Sequence, residues 1–269
     1  TDFQLPVKIT IDDVRKSTPN GVVFEPYKQT QISTVNVYTT PAEKAEAQSY
    51  NDSIGFFGLK KKRFNKKVLS KAIQIRPGNL YSDATRNQTI AELNRLGIFQ
   101  YPTIRYSYAD SLQSALNTSI FLEPRERFGL GFGLDLTQSN IQDQGIAFNS
   151  SLNVLNIFRG AENFEFGVRG TIGRSADEVI SEIGGDMKLR IPKILMPNFI
   201  ARLIPENLQP TSILNLGAAL QNNIGLDKLT YSGGIEYKWK TKNNNRIDFS
   251  LVDLTLVNNR NTQNYFNIY

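Results

Sequence analysis

Residues 125–174, RERFGLGFGLDLTQSNIQDQGIAFNSSLNVLNIFRGAENFEFGVRGTIGR, decide the fold of this chain. At the start of this stretch, large apolar residues occupy every second position: Phe128, Leu130, Phe132, Leu134 and Leu136. The positions between them are small or polar: Gly129, Gly131, Gly133, Asp135 and Thr137. A period of two predicts a β-strand with two different faces. One oily face and one small, polar face are typical of a strand that separates lipid from a wet lumen.

The same alternation returns along the rest of the chain. Further apolar runs follow around residues 146–154, 164–172, 183–191, 214–220, 229–239 and 247–256. The phase slips near Val252, which predicts either a β-bulge or an exit of the strand from the bilayer. A soluble sandwich is the alternative, because its sheets would bury one face against each other. No window approaches the roughly 18 uncharged apolar residues of a transmembrane helix. We therefore expect up-and-down strands of a membrane β-barrel, in which each backbone amide finds a partner strand.

Composition limits the chemistry available to the chain. The 269 residues include no cysteine and no histidine, and the net charge is +6. Thiol chemistry, disulfides, Cys/His zinc sites and His-dependent triads are therefore excluded. No pair of carboxylates has catalytic spacing, so we expect no catalytic residue, no metal, no cofactor and no enzymatic activity. The basic cluster at residues 60–63 is interpreted first as a solvated face and second as a site for anionic lipid, with no nucleic-acid partner.

The segment before the barrel strands predicts an α+β domain. A β-branched strand near residues 30–38 precedes a polar stretch at 39–53, which we expect to be irregular or loosely helical. Asn65 caps a short helix, and Ser82 or Asp83 caps a second helix through Leu96, with Ala84, Ile90, Leu93 and Leu96 on its apolar stripe. Two strands follow, at 98–108 and 118–122. Gly97 permits a left-handed stop that turns Phe99 under the sheet.

The order strand, helix, helix, strand, strand resembles a POTRA domain, and two short motifs support the resemblance. Residues 75–82, IRPGNLYS, are similar to that family's turn between the helices and include Gly78 and Tyr81. Residues 93–99, LNRLGIF, are similar to its helix end and include Leu96, Gly97 and Phe99. Ile104, Tyr106 and Tyr108 alternate on the next strand, which either accepts an incoming extended segment at a sheet edge or is a plain core strand.

A POTRA domain that runs directly into barrel strands resembles the BamA/TamA superfamily of outer-membrane assembly and translocation proteins. Residues 158–164, FRGAENF, are similar to that family's inner turn between barrel strands two and three and include Arg159, Gly160, Ala161 and Glu162. We expect the glycine and the small residues here to make a tight hairpin on the periplasmic side. This turn and the rim segment IPKILMP favour the TamA-like branch. The implied domains are the end of a preceding POTRA domain plus linker at 1–29, a POTRA domain at 30–124 and barrel strands at 125–269.

The resemblance also implies how the chain acts. Barrels of that family have more strands than the seven or eight visible here, so we expect the first half of a larger barrel rather than a very small closed one. Its first strand would form a lateral gate through Phe128, Gly129, Leu130, Gly131, Phe132, Gly133, Leu134 and Leu136. The glycines would weaken the pairing of this strand with the last strand of the barrel, so that a client strand could add to the exposed edge.

The resemblance implies partners and leaves alternatives open. The partners are the outer-membrane lipid bilayer, unfolded outer-membrane or secreted client proteins, and accessory assembly subunits, with the POTRA region in the periplasm. One alternative is a dedicated two-partner-type exporter with the same layout. Another is a passive porin-like channel with a periplasmic accessory domain.

Overall fold

Two folded regions and a short hairpin make up the part of the chain that the structure describes. The structure is a computed structural model. It describes residues 13–19, 21–25, 29–39, 47–51, 53–58, 64–110, 114–138, 144–175, 178–196, 210–223, 226–241 and 245–261. The basic cluster at 60–63 and residues 1–12, which begin the segment assigned to the end of a preceding POTRA domain, lie outside these residues. Among the described helices, none has the length and apolar character needed to cross a bilayer.

A two-stranded hairpin comes first. Strands β1 (Val14–Thr18) and β2 (Gly21–Glu25) pair antiparallel. Both strands lie within the segment at 1–29 that is expected to be the end of a preceding domain plus linker. The linker expected up to residue 29 is therefore partly structured.

The α/β domain follows in the order β3 (Gln31–Tyr38), β4 (Ala47–Asn51), β5 (Ile54–Phe57), α1 (Lys66–Ala72), α2 (Asp83–Arg95), β6 (Phe99–Tyr108) and β7 (Ala115–Pro124). Its strands form one five-stranded sheet in the order β4-β5-β3-β7-β6. Strand β3 runs parallel to β5 and β7, and the β4–β5 and β6–β7 pairs are antiparallel. Strands β3, β6 and β7 and both helices match the predicted order.

The β4–β5 hairpin corrects the expectation for residues 39–53. Neither an irregular segment nor a loose helix describes 47–51, which form strand β4. Strand β5 exists because Ile54 and Phe56 are completely buried and complete the domain core. Its four-residue apolar run is too short to reveal a strand by periodicity alone. The hairpin extends the sheet beyond β3, so β3 is an interior strand.

Local capping defines both helices. The Asn65 side chain accepts a hydrogen bond from the Lys67 amide at 3.0 Å and starts α1. Ser82 precedes α2 without a side-chain cap bond, and Gly97 follows it with φ of +70°. This left-handed glycine confirms the predicted stop. On the apolar stripe Leu93 and Leu96 are buried, but Ala84 is exposed, so its assignment to the stripe is wrong.

The helices cover one face of the five-stranded sheet. The buried residues of β3 and β7 alternate, with Val35, Val37, Ile120 and Leu122 at most 2% exposed. They pack in one core with Leu69 and Ile73 of the α1 region and Leu93 of α2. Phe99 is 1% exposed in the same core, which confirms that the chain turns it inward after Gly97.

The second region is a seven-stranded antiparallel sheet. Its strands are β8 (Phe128–Thr137), β9 (Gln144–Leu155), β10 (Asn163–Ser175), β11 (Glu178–Ile191), β12 (Thr211–Asn223), β13 (Leu226–Lys240) and β14 (Arg246–Asn261), and each pairs with its sequence neighbours. The seven predicted runs are therefore seven strands of one meander, consistent with part of a β-barrel. The register shifts opposite Ile235 and Glu236, which confirms the predicted bulge in the last strand.

Candidate functional site

Strand β8 lies at one edge of the seven-stranded sheet and pairs only with β9 among the described residues. Its outward apolar side chains are Phe128, Leu130, Phe132, Leu134 and Leu136, whose exposed fractions run from 61% to 88%. No described layer covers this face, so the sandwich alternative, which would bury it, is wrong for the described strands. A contiguous apolar face of this size requires a lipid or protein surface in place of water.

The opposite face of β8 is made of glycines that sit under polar side chains of β9. A Cβ on Gly131 would lie 2.7 Å from Ser151 Oγ, and a Cβ on Gly133 would lie 2.6 Å from Asn149 Nδ2. The glycines therefore leave room for the β9 side chains to lie across β8. Gly129 is different, because its added Cβ would meet only the Asn153 Cβ at 3.7 Å.

Charged residues on the polar face of the sheet form ion pairs, across neighbouring strands for Arg169 and Asp186 and within strand β13 for Lys238 and Glu236. Arg169 Nη1 lies 3.0 Å from Asp186 Oδ1, and Lys238 Nζ lies 3.0 Å from Glu236 Oε2. The Arg169 and Asp186 side chains are 56% and 54% exposed, so this pair contributes only about 0–1 kcal/mol. Asp135 Oδ2 accepts from Asn149 Nδ2 at 3.4 Å. These carboxylates therefore have donors beside them, as in a polar lining.

The inner turn, residues 156–162, joins β9 to β10 at the end of the sheet nearest the α/β domain. Glu162 is 7% exposed, and its Oε2 accepts hydrogen bonds from the Gly160 amide at 2.9 Å and the Phe158 amide at 3.2 Å. Asn156 Oδ1 accepts from the Ala161 amide at 2.9 Å, and the Asn156 amide donates to the Glu162 carbonyl at 2.6 Å. The buried carboxylate thus organises the turn from within.

The backbone of the inner turn differs from the expectation of a glycine-based hairpin. The left-handed residues are Asn156, Arg159 and Ala161, with φ of 58°, 71° and 66°, and Gly160 is not among them. Gly160 leaves room for the Glu162 carboxylate, because a Cβ there would collide with Glu162 Oε1. Asparagine adopts the left-handed conformation readily, whereas arginine and alanine do so at a cost. The internal hydrogen bonds offset that cost.

The inner turn contacts the α/β domain directly. The Arg159 carbonyl accepts a hydrogen bond from the Asn65 amide at 3.2 Å, at the start of α1. Ala161 is 5% exposed and belongs to the same buried cluster as Phe64 and Phe99. The predicted residues Arg159, Gly160, Ala161 and Glu162 are therefore brought together, and the domain side of the contact was not predicted. Asn65 was recognised only as a helix cap.

The chain between the two regions is short and tied to the domain. Three residues, 125–127, separate β7 from β8. The Arg125 amide donates to the Ile98 carbonyl at 3.0 Å, and Arg125 Nε donates to the Phe99 carbonyl at 3.2 Å. The Leu155 amide donates to the Arg127 carbonyl at 2.8 Å. The start of β8 is therefore held from both sides.

Strand β6 is an edge strand of the α/β domain and pairs only with β7 among the described residues. Of the three predicted edge residues, Ile104 is buried in the core, Tyr106 is half-buried and Tyr108 is 54% exposed. The strand therefore combines a core-facing side with an open backbone edge. Pro102 within β6 fits an edge position, because proline lacks the amide that an interior strand would need.

A small cleft, open to solvent, lies beside β6 on the helix side of the sheet. Tyr106 and Tyr81 line it, and their rings meet edge to face at 5.1 Å between centroids. Burial raises the pKa of Tyr106 to about 12. The Tyr81 hydroxyl donates to Asp83 Oδ1 at 2.7 Å, and this hydrogen bond raises the Tyr81 pKa. Gly78, with φ of +86°, shapes the turn that presents Tyr81.

A second turn packs on the outward face of the sheet and was predicted only as an apolar rim segment. Ser212 Oγ donates to the Lys193 carbonyl at 2.7 Å and accepts from the Leu195 amide at 2.8 Å. The Tyr237 hydroxyl donates to the Leu195 carbonyl at 2.9 Å. Residues 192–196 therefore fold back over Ser212 and Tyr237, which are almost fully buried. Pro197, the last residue of the rim segment IPKILMP, lies outside the described part of the chain.

Solved structures provide the comparison for this fold. BamA from Haemophilus ducreyi lacking POTRA domains 1–3 is similar to this chain with a TM-score of 0.53 and 12% identity, over 94% of this chain and 41% of that chain. CdiB from Acinetobacter baumannii is similar with a TM-score of 0.34 and 10% identity, over 86% of this chain and 43% of that chain. No protein-family model and no curated protein matches the chain.

The comparison concerns architecture. At 12% identity the likeness to the BamA structure establishes the fold alone, and the CdiB likeness is too weak to add to it. This chain spans about two fifths of the BamA chain. Over nearly its whole length, it therefore shares the fold of that part of the BamA structure.

Proposed function

We propose that this chain is part of an outer-membrane protein of the BamA/TamA superfamily that inserts or translocates client proteins. In this proposal the α/β domain is a periplasmic POTRA domain and β8 is the gate strand. The observation that carries the proposal is the uncovered apolar face of β8 in the seven-stranded sheet. Only three residues connect this strand to the α/β domain. The fold shared with the BamA structure supports the same layout.

The mechanism needs no covalent step. An edge strand offers a row of backbone amides and carbonyls to an extended segment, which can add by hydrogen bonding alone. Strand β6 would receive the client in the periplasm, and β8 would pair with client strands at the membrane. The outward apolar residues of β8 would keep the growing sheet in contact with lipid. We therefore propose that the chain acts without enzymatic turnover and without a cofactor.

The TamA-like branch remains part of the proposal. It rests on the sequence of the inner turn and on the rim segment at residues 191–197. Clients would be unfolded outer-membrane proteins, and accessory assembly subunits would act on the periplasmic side.

Crosslinking in cells tests the gate proposal. A photoreactive phenylalanine analogue placed at Phe132 on β8 should crosslink newly made outer-membrane proteins. The matched control is Leu216 on β12, which is 62% exposed on the outward face but lies within the sheet. Equal client crosslinking from both positions would contradict a gate at β8.

Depletion of the protein tests the role itself. Folded surface barrels should fall in abundance, measured by heat-modifiable migration of outer-membrane proteins. Normal barrels together with loss of one secreted protein would favour the dedicated exporter, and no change in either would refute both roles.

A further inference from the structure

We infer that the inner turn is a structural latch that fixes the α/β domain to the ends of β9 and β10. The turn supplies Ala161 to the buried core of the domain and the Arg159 carbonyl to the first turn of α1. The domain and these two strands therefore move as one body.

The latch is stiff because hydrogen bonds within the turn hold its own backbone in place. Glu162 Oε2 holds the Phe158 and Gly160 amides, and Asn156 holds Ala161 through its side chain. A residue displaced from this turn leaves a buried carboxylate or amide without its hydrogen bond, which is costly. The turn therefore resists the bending by which an ordinary surface loop would accommodate movement of the domain.

The contact is also placed at a sensitive point of the domain. Ala161 shares the buried cluster with Phe64 and Phe99, whose rings lie 5.2 Å apart. Phe64 directly precedes the Asn65 cap of α1, and Phe99 opens β6. Withdrawal of Ala161 would leave a cavity in this buried cluster, so detachment carries a packing cost besides the lost hydrogen bond.

The inferred body includes the start of β8. The Arg125 amide is bonded to the domain, and the Arg127 carbonyl accepts from the Leu155 amide of β9. A rotation of the domain therefore carries the domain-proximal end of β8 with it. This link from domain orientation to the gate rests on the proposed function, whereas the rigid attachment does not.

Distance measurements between two labels test the latch. The chain contains no cysteine, so spin labels on Gln88→Cys in α2 and Ser232→Cys in β13 are unique. Both positions are exposed. Pulsed electron resonance on the whole chain in phosphatidylcholine vesicles should give one narrow distance distribution. Its width should match that of a pair within the domain, Gln88→Cys with Ser107→Cys.

Ala161→Asp is the disrupting variant. Aspartate tolerates the left-handed conformation of this position, so the substitution mainly introduces a charge into the domain core. The interdomain distribution should become at least about twice as wide. Phe158→Ala changes an exposed side chain of the same turn, 66% exposed, and should leave the width unchanged.

If Ala161→Asp unfolds the domain, the distance distribution of the label pair within the domain will broaden. A milder variant then provides the test. Ala161→Gly removes only the methyl group and suits the left-handed backbone. It should broaden the interdomain distribution while the pair within the domain stays narrow. An unchanged interdomain width in Ala161→Gly, or in a folded Ala161→Asp, would overturn the latch.

A crosslinking arm separates the latch from the gate. Client crosslinking at Phe132 should fall in Ala161→Gly if the latch transmits domain orientation to β8. A broadened distance distribution with unchanged crosslinking would leave the latch standing and refute the coupling. Absence of client crosslinking in the parent protein would refute the proposed function and leave the distance result unaffected.

Discussion

The same alternating sequence pattern produces a buried apolar face in one region of this molecule and an exposed apolar face in the other. In strand β7 of the α/β domain, Ile120 and Leu122 alternate with more polar neighbours and are at most 2% exposed. In strand β8 of the meander, Phe132 and Leu134 alternate with glycines and are about 80% exposed. A period of two therefore specifies a two-faced strand, but not which face is covered by protein. In the α/β domain the helix layer covers the apolar face, and in the seven-stranded sheet a lipid surface would cover it.

A charge placed on the covered face should give the largest effect. Ile120→Asp puts a carboxylate at a fully buried position and should destabilise the domain by more than about 4 kcal/mol. Ser119→Asp, on the opposite face of the same strand, should cost less than about 1 kcal/mol. Hydrogen exchange measured in micelles should show lost protection in β3 and β7 but not in β10 to β13. Retained protection in β7 would show that the core assignment is wrong.

A charge on the outward face tests the other half of the comparison. Leu134→Arg should reduce the stability of the barrel strands in a bilayer by about 2–4 kcal/mol if this residue faces acyl chains. Ser232→Arg lies on the polar face, is exposed and should cost less than about 1 kcal/mol. Folding yield in lipid vesicles, measured against guanidinium concentration, reports both values. Equal tolerance of both arginines would contradict a lipid-facing β8.

The inner turn joins the two regions, and its buried carboxylate should give the next effect. Glu162→Ala removes the acceptor for two backbone amides and should cost about 1–3 kcal/mol. Amide exchange at Phe158 and Gly160 should accelerate by about tenfold or more. Phe158→Ala, in the same turn but exposed, provides the control. Unchanged exchange in Glu162→Ala would mean that the carboxylate does not organise the turn.

Alanine substitutions of one glycine in each region should have smaller effects on stability, and these effects should differ. Gly97 has φ of +70°, so Gly97→Ala should destabilise the domain by about 1 kcal/mol. Gly129 does not have a left-handed backbone, and an added Cβ would make only an ordinary contact at 3.7 Å. Gly129→Ala should therefore change stability by less than about 0.5 kcal/mol. Denaturant midpoints of the two variants measure the difference, and equal midpoints would contradict this distinction.

Tyr106 should give the smallest effect under ordinary conditions, because it titrates only in alkali. Burial raises its pKa to about 12, above the usual value of 10 for tyrosine. The protonated, neutral Tyr106 side chain therefore stabilises the folded state relative to the unfolded state. Its contribution to stability is complete below pH 10 and is lost as the pH rises from 10 through 12. Absorbance of ionised tyrosine near 295 nm follows the titration, and Tyr106→Phe should remove one late-titrating group.

The predictable parts of the fold are those with a strong local signal. Strand β8 was predicted over residues 128–137 and occupies Phe128–Thr137, because five alternating apolar residues leave no other period. Asn65 and Gly97 marked helix boundaries through capping geometry that depends only on nearby backbone. The inner turn was also located correctly, between the second and third strands of the sheet.

The missed parts depend on contacts between distant residues. The pairing of β5 with β3 involves a short apolar run whose partner cannot be read locally. Ala84 fits the helical stripe by spacing but lies where the domain provides no covering surface. In the inner turn, Gly160 predicted a tight glycine-based hairpin, whereas in the structure it leaves space for the Glu162 side chain. Local propensity locates a turn, but the side chains that fold back on it decide its conformation.

The position of Ala161 has a consequence for the order in which the protein matures. The domain's own residues are complete once Pro124 has been synthesised, but its core still lacks the methyl group that residue 161 provides. That group arrives only when the chain has returned through β8 and β9 and the next hairpin has closed. The core of the domain is therefore completed only after β8 to β10 have been synthesised. Complete packing of the domain core then indicates that the β9–β10 hairpin has formed.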